Sequence, residues 1–101
     1  MYASFNKDLC TFSKTASVSV DDVLEGKQWF YPEIDTFHHI ITLSSTPLEE
    51  CSTRKVYLLN RSRGKTGFCI RSLRKFIRLP FGRYKVREYD GVIEIHYDEE
   101  Y

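Results

Sequence analysis

Ile70-Arg71-Ser72-Leu73-Arg74-Lys75-Phe76-Ile77-Arg78-Leu79-Pro80 is the stretch on which the fold class turns. Arg71, Arg74, Lys75 and Arg78 stand at i, i+3, i+4 and i+7, the spacing of one helix face. Ile70, Leu73, Phe76 and Ile77 repeat at the same period on the opposite side. A strand would scatter both sets over two faces. The spacing therefore predicts a short amphipathic helix over 71–79, stopped by Pro80 and Gly82. A solvated surface helix usually mixes both signs of charge to gain i,i+4 pairs. Here like charges repel at three and four residues apart, which points to an anion held against them. A helix of about two turns has too little apolar face to insert firmly into a membrane.

These four cations belong to a longer block. Residues 54–87 hold twelve of the fifteen Lys and Arg and no Asp or Glu. Residues 1–53 hold eight acidic residues against three lysines, and residues 88–101 hold six acidic residues with no Lys or Arg. The segments carry −5, +12 and −6, which sum to the net +1. Such asymmetry points to an anionic partner, most often nucleic acid. The alternative is a solvated surface whose cations pair with the acidic ends of the same chain.

Downstream, Arg83–Tyr89 and Val92–Tyr97 flank Asp90-Gly91, a favoured two-residue type I′ connection. That turn pairs Tyr89 with Val92, Glu88 with Ile93, Arg87 with Glu94, Val86 with Ile95, Lys85 with His96 and Tyr84 with Tyr97. Alternate pairs share a face, so Tyr84, Val86, Ile93, Ile95 and Tyr97 are expected inside. Arg87–Glu94 is expected as an exposed ion pair, and His96 as a surface residue. Asp98-Glu99-Glu100-Tyr101 is an acidic tail, either solvating or lying over the basic surface when no partner is bound.

Upstream, Lys55–Leu59 and Phe68–Ile70 read as strands around a Gly-, Asn- and Ser-rich turn. This hairpin would carry Arg61, Arg63 and Lys65 on its tip. Gly64-Lys65-Thr66 is not a P-loop, because Leu59 stands where the first Gly is required. Thr46-Pro47-Leu48-Glu49 fits a capping box with Pro at the first helical position, opening a helix that ends near Ser52 or Thr53. Phe37–Leu43 reads as a buried strand, with His38 and His39 pointing to opposite faces and thus unable to share one metal. Trp29-Phe30-Tyr31 is either core or a stacking platform for bases. In residues 2–20 a loose alternation through Phe5, Cys10, Phe12, Ala16, Val18 and Val20 predicts one or two strands, with a turn at Asn6–Asp8. Asp21 or Asp22 would then cap a helical turn stopped by Gly26.

A chain of 101 residues, 42% hydrophobic and with fifteen aromatics, is expected to form one globular domain. No apolar run approaches the roughly 18 residues of a membrane span. The N-terminus lacks the layout of a secretion signal. Cys10, Cys51 and Cys69 form neither a disulfide framework nor a zinc motif, so a reducing, cytoplasmic setting is expected. No motif marks a catalytic site, a cofactor or a metal centre, and a non-enzymatic protein is expected.

The order from residue 54 onward is strand, basic loop, strand, short basic helix, Gly turn, strand, Asp-Gly, strand. With Lys55-Val56, Arg63-Gly64, Ile70, Leu73-Arg74-Lys75, Gly82 and Asp90-Gly91-Val92-Ile93-Glu94-Ile95, it resembles the AbrB/MazE swapped-hairpin DNA-binding family over residues 54–97. The family usually has Pro after the strand-ending Ile, where Arg71 stands here, and often an acidic residue in place of Arg83. Pro80 also shortens the helix, and residues 1–53 have no counterpart. The resemblance implies a homodimer touching DNA through Arg61, Arg63, Lys65 and Arg71.

The combined expectation is an α+β domain of antiparallel hairpins with one or two short helices. Its expected function is a small nucleic-acid-binding regulator, contacting phosphates through Arg61, Arg63, Lys65, Arg71, Arg74, Lys75 and Arg78. A basic helix and hairpin suit a duplex groove, while the many Tyr and Phe suit unpaired bases. DNA is favoured over RNA. The alternative is a small protein-binding module or inhibitor, of viral or mobile-element origin, docking its basic surface on an acidic host protein.

Overall fold

The first hairpin is set by three residues. Between β1 (Tyr2–Phe5) and β2 (Leu9–Phe12), the Asn6 side-chain carbonyl accepts from the amides of Asp8 at 2.9 Å and Leu9 at 2.7 Å. Asn6 thereby mimics a backbone turn, where the sequence predicted one. The structure, a computed structural model, describes residues 1–47, 56–62 and 64–101. The helix expected to open at Thr46 runs into residues 48–55 and lies outside the described residues.

The second predicted strand in this region is instead a helix, α1 (Lys14–Val23). Ser13 caps it, its hydroxyl accepting from Ala16 N at 3.3 Å and from Tyr2 N at 3.1 Å. The alternation through Ala16, Val18 and Val20 was misleading. Ala16, Val20 and Leu24 are buried at helical spacing, whereas Val18 is exposed. Tertiary burial against β2, β7 and β9 overrides the weak strand preference of the β-branched run. Asp21 and Asp22, expected to cap a separate helical turn, lie instead in the last turn of α1, and the chain leaves the helix through Glu25 (φ +55) and Gly26 (φ +72), whose amide reaches back to Asp21 O at 3.0 Å.

Seven further strands follow among the described residues: β3 (Trp29–Asp35), β4 (Ile40–Ser44), β5 (Tyr57–Leu58), β6 (Asn60–Ser62), β7 (Lys65–Cys69), β8 (Gly82–Tyr89) and β9 (Val92–Glu100). All their pairings are antiparallel, in the order β5-β3-β4-β9-β8-β1-β2-β7-β6. The two outermost members, β5 and β6, are neighbours in the chain, separated only by Leu59, whose amide bonds Gln28 O at 2.8 Å. One segment thus pairs with β3 by its start and with β7 by its end. The sheet is nearly closed into a barrel, which removes most of the exposed edge.

This overturns the α+β expectation. Among the described residues there is one α-helix, and residues 71–79 contribute only a 3-10 turn at Leu73–Lys75. A nine-residue run ending at Pro80, with repelling cations along one side, has little helical stability of its own. Here it must also carry the chain from β7 to β8 past the intervening β2 and β1. Its apolar residues separate accordingly: Ile70, Leu73 and Leu79 are buried, but Phe76 points into solvent.

Phe5, Phe12, Phe30, Ile41, Leu43, Phe68, Val86, Ile93 and Ile95 fill the interior together with Ala16 and Val20 of α1 and its C-cap Leu24. The C-terminal hairpin keeps its predicted register from Tyr89–Val92 through Lys85–His96, around Asp90 (φ +51) and Gly91 (φ +77). A bulge then moves Tyr84 opposite Glu100 instead of Tyr97. The predicted inward set of Tyr84, Val86, Ile93, Ile95 and Tyr97 is buried throughout. Phe37–His39 instead form the β3–β4 turn, with Phe37 exposed, and Pro32 lies within β3.

Candidate nucleic-acid interface

The expected cationic residues divide between two ends of β7. A five-residue strand rises about 13 Å between its first and last Cα at about 3.3 Å per residue, and it separates Lys65 from the loop after Cys69. Near the hairpin tip, Lys65 is exposed and Arg63 lies outside the described residues. Arg61 is turned onto α1, where its Nε and Nη2 donate to Asp21 Oδ1 at 2.9 and 2.6 Å and Nη2 also donates to Lys27 O at 3.0 Å. Arg61 is therefore a clamp between β6 and the end of α1, not a tip residue.

At the other end, Arg71 donates to Asp8 Oδ1 at 3.2 Å, a bond that raises its pKa further above the ordinary arginine value. Arg74 is consumed by the backbone. Its Nε donates to Lys7 O at 2.9 Å, one Nη to Asn6 O at 2.5 Å and the other to Leu79 O. The guanidinium also covers the Phe81 ring at 4.9 Å. Lys75 and Arg78 are exposed and have no ion pair among the described residues. The predicted single face of four cations does not form, because one of the four faces inward as a staple.

What the tertiary structure gathers is a basic end to the barrel. The β1–β2 turn and the loop 70–81 are bound together by Arg74, by Arg71–Asp8 and by the Ile70 amide on Asp8 O at 2.8 Å. Across residues 6–8 and 70–83 the cations are Lys7, Arg71, Arg74, Lys75, Arg78 and Arg83, against Asp8 alone, six minus one. Two aromatic rings stand out among them, Phe76 at 84% and Phe81 at 67% exposed. They line an open groove of about 540 Å³ with Arg74, Lys75 and Arg78.

The basic surface continues along β8. Arg83, Lys85 and Arg87 alternate with the buried Tyr84 and Val86 and so share the outer face. Arg83 lies over the Tyr2 ring at 4.8 Å, and Tyr2 packs on Tyr101 at 4.7 Å. Phe76, Phe81, Arg83 and Lys85 were not among the expected contacts. The helical reading assigned Phe76 to a hidden underside. For Arg83 and Lys85 the signal was present in the hairpin register, which put them opposite Tyr84 and Val86.

Acidic groups collect elsewhere. Glu33, Asp35, Asp90 and Glu94 line an open groove of about 300 Å³ over β3, β4 and β9. The Asp35 carboxyl is held below its usual range by the amide and ring of His38. Glu94 does not pair with Arg87 as expected. Arg87 donates to both carboxylate oxygens of Glu99, at 2.8 and 3.2 Å. His96 is buried at 8% exposure, with Nε2 at 3.0 Å from Glu94 and Nδ1 at 3.0 Å from Glu99. It is not the surface residue expected.

Trp29-Phe30-Tyr31 divides by strand alternation. Phe30 is fully buried against Phe68, while Trp29 and Tyr31 are half-buried, with Lys27 at 5.0 Å over the indole. Burial inside the barrel pushes the Cys10 thiol well above its ordinary range, the opposite of what a nucleophile needs. Among the described residues no three of His, Cys, Asp and Glu are placed to hold a metal. No helix among them is long and apolar enough to cross a membrane. Compared with known proteins, the chain matches no family model, no curated protein and no solved structure. Nothing in those comparisons bears on the resemblance of residues 54–97 to the AbrB/MazE family.

Proposed function

We propose that the protein binds nucleic acid, in unpaired form, across its basic end. The observation that carries this reading is the pair of exposed rings, Phe76 and Phe81, in a loop whose only charged side chains are positive. Exposed aromatics in a cationic groove suit stacking on successive bases while neighbouring cations meet the phosphates. Lys75 and Arg78 supply the phosphate contacts at the loop, with Lys7 and Arg83 beside them. Arg71 contributes once a phosphate competes with Asp8. Arg61 and Arg74 hold the frame and leave the contact set. The helix expected to enter a duplex groove is absent, so the reading moves from duplex to single strands. A regulator in a reducing cytoplasm fits the free thiols of Cys10 and Cys69.

The test is fluorescence anisotropy with labelled single-stranded DNA, single-stranded RNA and duplex DNA across a salt series. With about four phosphates neutralised at roughly −0.7 each on a single strand, the slope of log affinity against log salt is expected near −3. Phe76→Ala is expected to cost about 1–3 kcal/mol of binding, the worth of one stacked base. Because Phe76 is so exposed, the same change is expected to move stability by less than about 0.5 kcal/mol. A slope near zero on all three probes would remove the reading. Capture of an acidic protein that survives nuclease treatment would then favour the protein-docking alternative.

A further inference from the structure

The basic ridge on β8 already has an anionic occupant, the end of β9. Between His96, opposite Lys85, and Glu100, opposite Tyr84, the three residues Tyr97, Asp98 and Glu99 have no counterpart on β8. The Tyr97 amide bonds His39 O at 3.0 Å instead. Such a bulge re-aims a side chain, and here it presents Glu99 to Arg87. The Glu99 carboxylate is held by the Arg87 guanidinium, and His96 Nδ1 stands 3.0 Å from it. The strand end is tied down beyond it by the Tyr101 amide on Arg83 O at 2.9 Å and by the packing of Tyr101 on Tyr2. The strand end is thus fixed beside both ends of the run Arg83-Lys85-Arg87, engaging the Arg87 side chain and leaving that of Arg83 exposed.

We propose that residues 97–101 form an intramolecular strap that holds Arg87 on Glu99 in the place a phosphate would take, limiting how far nucleic acid extends along β8. This rests on the reading of the barrel end as a nucleic-acid site and names a regulator of that site. The groups facing the clasp are Glu94 and His96 of β9, Arg87 and Lys85 of β8, and Ile40 of β4, which is apolar. His96 Nδ1 also lies 3.5 Å from Arg87 Nη1, so the imidazole stands beside the guanidinium as well as beside the two carboxylates. A single strand reaching Arg87 exchanges one carboxylate for one phosphate, so the strap weakens binding without closing the groove beside Phe76.

The test compares wild type, Glu99→Gln and the double variant Arg87→Gln/Glu99→Gln against labelled oligo(dT) over a salt series, with circular dichroism as a check of fold. Glu99→Gln is expected to bind more tightly, with a salt slope steeper by about 0.7, the increment of one more neutralised phosphate on a single strand. The double variant is expected to lose that gain. In the wild type, the side-chain carboxyl carbon of Glu99 is expected to shift in the NMR spectrum as oligo(dT) is added. Binding by the wild type with no gain in Glu99→Gln and no Glu99 shift overturns the strap and leaves the nucleic-acid reading standing. Absence of binding by all three proteins at low salt overturns both. Binding by Glu99→Gln where the wild type shows none supports both.

Discussion

Replacing Arg74 by alanine is expected to destabilise the fold, although its place in a cationic run suggests a dispensable phosphate contact. Its guanidinium donates to three backbone carbonyls, those of Asn6, Lys7 and Leu79, and covers Phe81. Water can replace the donor at Asn6 and Lys7, which are exposed, but Leu79 is only 1% exposed. Loss of a charged donor costs about 1.5–3 kcal/mol where the acceptor is left buried and about 0.5–1 kcal/mol where water substitutes. The cation–π contact adds about 0.5–1 kcal/mol at an exposed site. Allowing for overlap among these, the expected loss is about 2–4 kcal/mol. Urea denaturation followed by Trp29 fluorescence measures it as a lower midpoint at unchanged m-value. Arg74→Lys keeps the charge but cannot reach three carbonyls at once, so it is expected to recover less than half of the loss. If Arg74→Ala unfolds within about 0.5 kcal/mol of wild type, the scale of an ordinary surface change, the staple is refuted and Arg74 returns to the contact set.

Two further expectations concern the barrel and its pH response. Gly67 faces β2 so closely that an added Cβ would lie 2.2 Å from Cys10 O, so Gly67→Ala is expected to cost about 1–3 kcal/mol as overpacking does, or to prevent folding, measured by urea denaturation. The Glu99 carboxyl is held below its ordinary value, first by its bond to Arg87. A depressed folded pKa gives stability that is complete above the ordinary glutamate range and is lost as pH falls through the folded value. Unfolding midpoints measured from neutral to acid pH are therefore expected to fall less steeply in Glu99→Gln than in the wild type. Equal slopes would show that the Arg87–Glu99 contact is not held in solution.

The parts of the fold that were legible are those decided by neighbours in the chain. Asp90-Gly91 can take positive φ at both positions, and from that turn the register of β8 and β9 follows by alternation as far as Lys85–His96. Asn6 marks the first turn in the same way, and Gly26 the end of α1. The failures are also instructive. A period of two through Ala16, Val18 and Val20 was outweighed by the Ser13 cap and by burial against three strands. A period of 3.6 through residues 70–78 was outweighed by the need to pass two strands and by carbonyls that bind Arg74. In both cases a short periodic run met a tertiary demand larger than its propensity.

Taken alone, the sequence determined the composition of the molecule's two kinds of surface: a block of cations without acids, and two acidic flanks. It also determined the turns at Asn6 and at Asp90-Gly91, because these depend on residues within three or four positions. Only the tertiary structure decided that the strands close into a barrel and which cations remain available. Asp21 neutralises Arg61 across 40 residues and Asp8 meets Arg71 across 63. The Asn6 and Lys7 carbonyls take Arg74 across 68 and 67. Contacts at such separations leave no periodic trace in the chain, since they arise only when barrel closure brings the β1–β2 turn, α1 and the loop after β7 against one another.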